Sequence, residues 1–142
     1  MNIRASLRFL AFAALCAGCH ANDATAPSAG QVSILVRSVS GPTSATSLQL
    51  EIINASEAAL GYNLCTNGRL DRLRAGQWEL VDMSGRACTL ELRVLAGNAR
   101  ADEGYRLPST IDAGTYRLVV HFSVESTGGG RVSASTDPFV VP

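Results

Sequence analysis

The feature that most constrains the fold of this chain is an alternating run at residues 111–125. Its large apolar side chains occupy every second position, at Tyr116, Leu118, Val120, Phe122 and Val124. A side-chain period of two is the period of a β-strand that buries one face. The run therefore predicts a central, half-buried strand, against which the rest of a β protein can assemble.

Other short segments after residue 30 carry the same signal. Strands are predicted at 31–37, 46–53, 59–65, 69–74, 77–81, 88–94 and 131–141. Asn67-Gly68 and Gly76 predict tight turns, and Pro138 places its part of the last strand at an edge or bulge, because proline donates no ladder hydrogen bond. Residues 95–110 form the least regular stretch, with at most one helical turn in it. The pattern predicts an all-β protein: a two-sheet antiparallel sandwich of about seven strands.

Residues 1–18 have the organisation of an export signal. Arg4 and Arg8 precede a short apolar core that is too short to span a bilayer as a mature helix. The ending Leu15-Cys16-Ala17-Gly18-Cys19 resembles the lipobox of bacterial lipoproteins, which implies cleavage before Cys19 and acylation of Cys19, palmitate included. Cys16 departs from that pattern, since an aliphatic residue is usual there, so ordinary cleavage near Ala21 is the alternative.

The residues after the lipobox bear on the location of the protein. His20 stands where an Asp often retains such lipoproteins in the inner membrane, so the resemblance implies the outer membrane. The small, polar and Pro-containing composition of residues 21–30 predicts a flexible tether over 19–30. We thus expect a domain over residues 31–142, anchored by lipid in the bacterial cell envelope and facing the periplasm or the cell surface.

The cysteines indicate the same oxidising compartment. With Cys16 removed and Cys19 lipidated, only Cys65 and Cys88 remain, and they allow a single disulfide. Closing a loop of about 24 residues stabilises a fold by roughly 3 kcal/mol on the chain-entropy account. The alternative is two buried free thiols. A metal site is not expected, because neither Cys has a Cys or His at ligand spacing.

Charge and side-chain inventory exclude several functions. Removing residues 1–18 takes Arg4 and Arg8, which leaves 10 Arg against 12 acidic residues and a balance of −2. This balance argues against a nucleic-acid surface. His121 is the only His in the expected domain, and no Ser lies in a Gly-x-Ser-x-Gly setting, so we predict no enzyme and no cofactor.

Three acids and one aromatic residue are the remaining candidates for a site. Asp71, Asp102 and Glu103 are predicted to be solvated charges, because the sequence identifies no partner for them. Trp78 is the only Trp, and it is predicted to pack in the core with its indole N–H hydrogen-bonded nearby. A ligand platform at Trp78 is the alternative, although an isolated aromatic seldom forms one.

Residues 60–142 resemble bacterial immunoglobulin-like domains of secreted proteins and lipoproteins whose function is unassigned. The shared motifs are a strand that ends at Asn54 before a small-polar turn, the Tyr62 strand, the hairpin Gly76-Gln77-Trp78, the strand entry Ala113-Gly114-Thr115-Tyr116-Arg117-Leu118 and the ending Asp137-Pro138-Phe139-Val140-Val141. The resemblance implies structural roles for Asp112, Gly114, Tyr116 and Trp78. In particular, it implies a tyrosine corner, in which the Tyr116 hydroxyl bonds to the backbone a few residues upstream.

The resemblance is incomplete and brings no catalytic residues. Leu118 stands where immunoglobulin domains carry the cysteine of their inter-sheet disulfide, so the pair Cys65 and Cys88 would join other strands. Trp78 also lies later than the expected tryptophan. These departures argue against an antibody-like topology and leave the sandwich itself expected.

Three functional hypotheses follow. The first is a non-catalytic, lipid-anchored envelope module that binds a protein or glycan through loops at one end or through a sheet edge. The second is a secreted, protease-inhibitor-like domain that uses the loops 82–87, 95–110 and 125–131. The third is periplasmic metal handling through His20, His121 or Met83.

Overall fold

A computed structural model describes residues 28, 30–42, 45–125 and 130–142. The predicted signal segment, Cys19 and most of the predicted tether therefore lie outside the described residues. The described chain is all-β, and its ten strands are β1 Val32–Ser40, β2 Ser47–Asn54, β3 Leu60–Tyr62, β4 Gly68–Arg74, β5 Gln77–Leu80, β6 Arg93–Leu95, β7 Ala99–Arg106, β8 Gly114–Val124, β9 Arg131–Ser135 and β10 Phe139–Val141.

The strands form two antiparallel sheets. One sheet has the order β1-β2-β7. In the other, β8 is central: β3 and β4 pair along one side of it, β9 and β10 along the opposite side, and β5 and β6 pair outside β4 and β3. Pro138 lies between β9 and β10, which both flank β8 at the sheet edge, so its predicted edge position is confirmed.

Both sheets contribute to one hydrophobic core, in a β-sandwich-like arrangement. The predicted apolar face of β8 is buried throughout, from Tyr116 to Val124, and packs with Ile34, Leu50 and Ile52 of the other sheet. Leu118, in the position of the missing cysteine, is fully buried. The alternation at 111–125 therefore predicted both the central strand and the face that it buries.

The prediction for residues 95–110 was wrong, because a strand of eight residues, β7, occupies most of that stretch. It pairs with β2 from Ser47↔Arg106 to Asn54↔Ala99, and Glu103 and Tyr105 are buried. Ala, Arg and Glu are good helix formers, but intrinsic propensity is a small energy, and the long ladder with β2 outweighs it. The described chain has more strands than the seven predicted, partly because β7 was not expected and partly because some predicted strands are interrupted.

Two other predicted strands are shorter than expected. From the predicted strand 88–94, only Arg93 and Val94 pair, in the short strand β6 that ends at Leu95. From the predicted strand 59–65, only Leu60–Tyr62 pair, as β3. Between them the Asn63 side-chain amide donates to the carbonyls of Thr89 and Glu91, which replaces ladder bonds. Leu90 is 92% exposed, so the alternating apolar pattern of 88–94 has no core to face.

The strand directions give this two-sheet, sandwich-like fold two distinct ends. At the entry end, β1 starts, β2 ends and β7 starts, so it carries the connections 55–59 and 96–98. At the far end, β7 ends and β8 starts, so it carries the connection 107–113. The ends are separated by the length of β8, roughly 30 Å for a strand of this size. Among the described residues there is no helix with the length and apolar character needed to cross a membrane.

Candidate functional site

The far end contains an open cavity of about 700 Å³, which we call the far-end groove. One wall is the loop of residues 82–87 that follows β5, and the other is residues 106–110, where β7 ends. Ala45 and Cys65 complete the lining. Cavities of this size are typical of small-molecule sites.

Arg86 is held in a fixed position on one wall of the groove. Its guanidinium lies 4.5 Å from the centre of the Tyr105 ring, where a cation–π contact is favourable. Its Nη1 donates to the Tyr105 hydroxyl at 2.7 Å, and its Nη2 donates to the Arg106 carbonyl at 2.9 Å. Burial raises the pKa of Tyr105, with Arg86 opposing the shift, so this acceptor stays neutral at physiological pH.

The acid in the lining, Asp82, is satisfied within its own loop. Its carboxylate accepts from the Ser84 N–H at 2.8 Å and from the Ser84 hydroxyl at 3.0 Å. These hydrogen bonds, the backbone one first, lower the pKa of Asp82. Asp82 therefore stays ionised and shapes the turn, and it forms no ion pair with either Arg86 or Arg106 among the described contacts.

The predicted disulfide braces this site. Cys65 and Cys88 are bonded, with their Cα atoms 5.5 Å apart, so that prediction is confirmed. Cys65 lines the groove, and Cys88 directly follows the loop 82–87. The bridge thus ties the end of the loop to the turn between β3 and β4. It differs from the immunoglobulin disulfide, as expected, and neither of its cysteines lies in a strand.

The tyrosine corner lies beside the groove. The Tyr116 hydroxyl donates to the Asp112 carbonyl at 2.7 Å, which is the predicted hydrogen bond. Arg72 adds a second tie, since it donates to the Asp112 carboxylate at 2.9 Å and to the Ala113 carbonyl at 2.8 Å. A Cβ at Gly114 would come within 3.1 Å of the Arg72 Nε, so glycine fits this position best. These contacts fix the chain that leaves the groove.

Trp78 does not lie in the core, which corrects its predicted role. It sits on the outer face of the edge strand β5, half-exposed, with the Arg117 guanidinium 4.5 Å from its ring centre. Arg117 in turn donates to Asp71 at 2.9 Å. The period-two pattern predicted which side chains share a face with Trp78, but it did not predict whether that face points toward the core. The other sheet does not extend over β5.

Two of the acids predicted to be solvated are buried and paired. Asp71 is 3% exposed and binds Arg69 and Arg117, and Glu103 is 7% exposed. Glu103 accepts from the Tyr62 hydroxyl at 2.6 Å and from Arg93, which links the two sheets. Burial and the Glu103 contact raise the pKa of Tyr62. Asp102 is exposed, as predicted.

The candidate metal ligands do not come together among the described contacts. His121 is exposed on β8 and bonds to Ser133 at 2.6 Å, while Met83 contacts the Tyr105 hydroxyl at 3.7 Å in the far-end groove. His20 lies outside the described residues. No cluster of three or more His, Cys, Asp or Glu side chains that suits a metal occurs in the described part of the chain.

Sequence reasoning did not single out Arg86 or Arg106. All basic residues of this chain are arginines, and seven of the ten described ones pair with acids, so nothing in the composition marks these two. Their shared site depends on β7, which the sequence pattern does not predict as a strand. The position of Arg106 at the last residue of an alternating segment was the available signal.

Comparison with known proteins supports the fold and nothing finer. No family model matches the chain, and no curated protein does. A solved structure, Northeast Structural Genomics Consortium target SoR45, aligns at TM-score 0.55 and 18% identity, over 80% of this chain and 88% of that one. At this identity the likeness concerns the fold alone.

Two other alignments are weaker. The archaellum periplasmic stator protein FlaG from Sulfolobus acidocaldarius aligns at TM-score 0.39 and 12% identity, over 76% of this chain and 99% of that one. The ASH/PapD-like domain 7 of human CEP192 aligns at TM-score 0.36 and 13% identity, over 100% of this chain and 99% of that one. Neither likeness is strong enough to bear on function.

Proposed function

We propose that this protein is a non-catalytic, lipid-anchored binding module of the bacterial cell envelope, built on an immunoglobulin-like sandwich. The observation that carries the proposal is the far-end groove. It lies at the opposite end of the sandwich from the start of β1, where a tether from Cys19 would enter. A module held by that tether presents the groove away from the membrane, where ligands are accessible.

The immunoglobulin-like assignment is supported by three features. The tyrosine corner opens β8, the strand order places β8 between β4 and β9, and both sheets share one core. Binding through loops at one end is a common use of such scaffolds, although fold alone does not assign a function.

Intact mass of the protein purified from its own membrane fraction tests the anchor. The expected mass corresponds to cleavage before Cys19 plus acyl chains, and a Cys19→Ser variant should leave the membrane fraction. A soluble form that begins near Asn22 and is unchanged by Cys19→Ser would reject the anchored module. The outer-membrane location is tested by the same fractionation.

A second candidate is a secreted, protease-inhibitor-like domain. One observation favours it: the loop 82–87 is mostly exposed and its end is braced by Cys88, as a rigid inhibitory loop requires. Of the other loops considered, 95–110 is largely strand β7. Absence of inhibition across serine, cysteine and metalloproteases at a molar excess of this protein would reject this candidate.

A further inference from the structure

The charges of the far-end groove are unusual within this domain. Of the ten described arginines, seven form ion pairs with carboxylates, and the three without such a pair among the described residues are Arg86, Arg106 and Arg131. Two of these three line the same groove. With Asp82 as its lining acid, the groove holds a net charge of +1, from two cations and one anion.

Arg86 and Arg106 differ in how many of their N–H donors remain available to a ligand. Arg86 uses Nη1 and Nη2 once each, for Tyr105 and the Arg106 carbonyl, and a guanidinium has five N–H donors. The Arg106 side chain is exposed and makes no hydrogen bond among the described contacts. Arg86 thus provides a fixed cation with donors to spare, and Arg106 an exposed cation with no described side-chain hydrogen bond.

The rest of the lining is mixed, with Ser84, Ser109 and Thr110 as its polar members. Met83, Pro108 and the sulfur of Cys65 are partly exposed and provide surface for a hydrocarbon body beside the two cations. The volume of about 700 Å³ suits a small organic molecule or the end of a chain. The groove therefore combines apolar and hydroxyl-bearing surface with two cations.

From these features we propose that the far-end groove binds a monoanionic carboxylate attached to an apolar group, with Arg106 and Arg86 holding the carboxylate. Guanidinium and carboxylate groups match in planar, two-point geometry. A phosphate monoester carries close to two negative charges at neutral pH, which exceeds the single net positive charge of the groove. This inference rests on the proposed binding function and names the ligand class of the same site.

The test compares 3-phenylpropionate with its neutral analogue 3-phenylpropionamide, by calorimetric titration into the full-length protein. The carboxylate should bind roughly tenfold more tightly than the amide. A hydrogen bond to a charged acceptor is about twice as strong as one to a neutral acceptor, and that difference in energy corresponds to about tenfold in a binding constant. Arg106→Gln should abolish the preference. Arg131→Gln is the matched control, because Arg131 also lacks a described carboxylate partner but lies on β9, away from the groove, and it should retain the preference.

Four outcomes would overturn the inference. They are equal binding of acid and amide, a preference that Arg106→Gln leaves intact, a preference that Arg131→Gln removes equally, and no saturable binding of either compound. Phenyl phosphate is titrated alongside, and tighter binding of it than of 3-phenylpropionate would also overturn the assignment to a monoanion. All these outcomes leave the envelope anchor and a different ligand possible, so they are distinguishable from failure of the proposed function.

Discussion

The two ends of the sandwich differ in how far they satisfy their own polar groups. At the entry end, Asn54 is 1% exposed and its side chain makes four hydrogen bonds, to Ser56, Ala58 and Ala96. Packing there is tight, since a Cβ at Gly97 would collide with the Glu57 carbonyl. At the far end, a groove remains open and two arginines lack carboxylate partners among the described residues.

This difference indicates that the entry end contributes mainly to stability and that the far end is available for binding. Fully satisfied buried polar groups fix a structure and leave little for a ligand to add. Surface cations without carboxylate partners contribute little to folding, and they can still bind an anionic group of a ligand. We therefore expect Asn54 substitutions at the entry end to destabilise the domain strongly, and substitution of Arg106 in the far-end groove to change ligand binding with little effect on stability.

The largest effect is expected at the entry end, for Asn54→Ala. The substitution leaves buried carbonyls and the Ser56 groups without their partner, which should cost about 3–4 kcal/mol of unfolding free energy. Urea denaturation followed by circular dichroism measures it. Asn63→Ala is the matched control, because Asn63 also makes four side-chain hydrogen bonds but is only half-buried. Equal losses in the two variants would contradict the role given to burial.

The next effect concerns the disulfide that braces the groove. Cys65→Ser with Cys88→Ser should lower the unfolding free energy by roughly 3 kcal/mol on the chain-entropy account, because the unfolded chain regains the freedom of the closed loop. Urea denaturation with and without a reductant checks this. Reduction should destabilise the parent protein by a similar amount and leave the double variant unchanged. A reductant effect on the double variant would show that another process is responsible.

A smaller effect is expected for Tyr116→Phe at the tyrosine corner. The hydroxyl donates one hydrogen bond to the Asp112 carbonyl, and its loss should cost about 1–1.5 kcal/mol. Thermal and urea unfolding measure the loss, and titration of 3-phenylpropionate should be unaffected. A loss of binding without a loss of stability would mean that the corner acts on the groove rather than on the fold.

The smallest effect on stability is expected for Arg106→Gln. Since Arg106 is exposed and has no ion pair among the described residues, the unfolding free energy should change by less than about 0.5 kcal/mol. Urea denaturation measures it, with Arg117→Gln as the contrasting variant, because Arg117 binds the buried Asp71. Destabilisation of Arg106→Gln as large as that of Arg117→Gln would mean that Arg106 is a structural residue.

Local patterns predicted the parts of the fold in which neighbours in sequence carry the information. The buried face of β8 followed from the alternation between Tyr116 and Val124. The tight turn between β4 and β5 followed from Gly76, and there both Ala75 and Gly76 have positive φ angles. The disulfide followed from the small number of cysteines.

The errors arose where distant segments determine the structure. Residues 99–106 form a strand only because β2 pairs with them, and 88–92 lack a ladder because Asn63 binds their carbonyls instead. Burial of Asp71 and Glu103 depends on arginines elsewhere in the sequence. The far-end groove requires residues near 45, 65, 85 and 108 together, so no local pattern reveals it.

The central claim is that the far end is the binding end, and photo-crosslinking in intact cells tests it most directly. A benzophenone amino acid is placed at one of three positions: Ser109 in the groove, the exposed Leu90 that precedes the edge strand β6, or Glu57 at the entry end. The intact mass of each variant then detects any captured ligand. We predict a mass increase for the Ser109 variant only, lost when Arg106→Gln is added. Capture from Glu57 or Leu90 without capture from Ser109 would contradict the account.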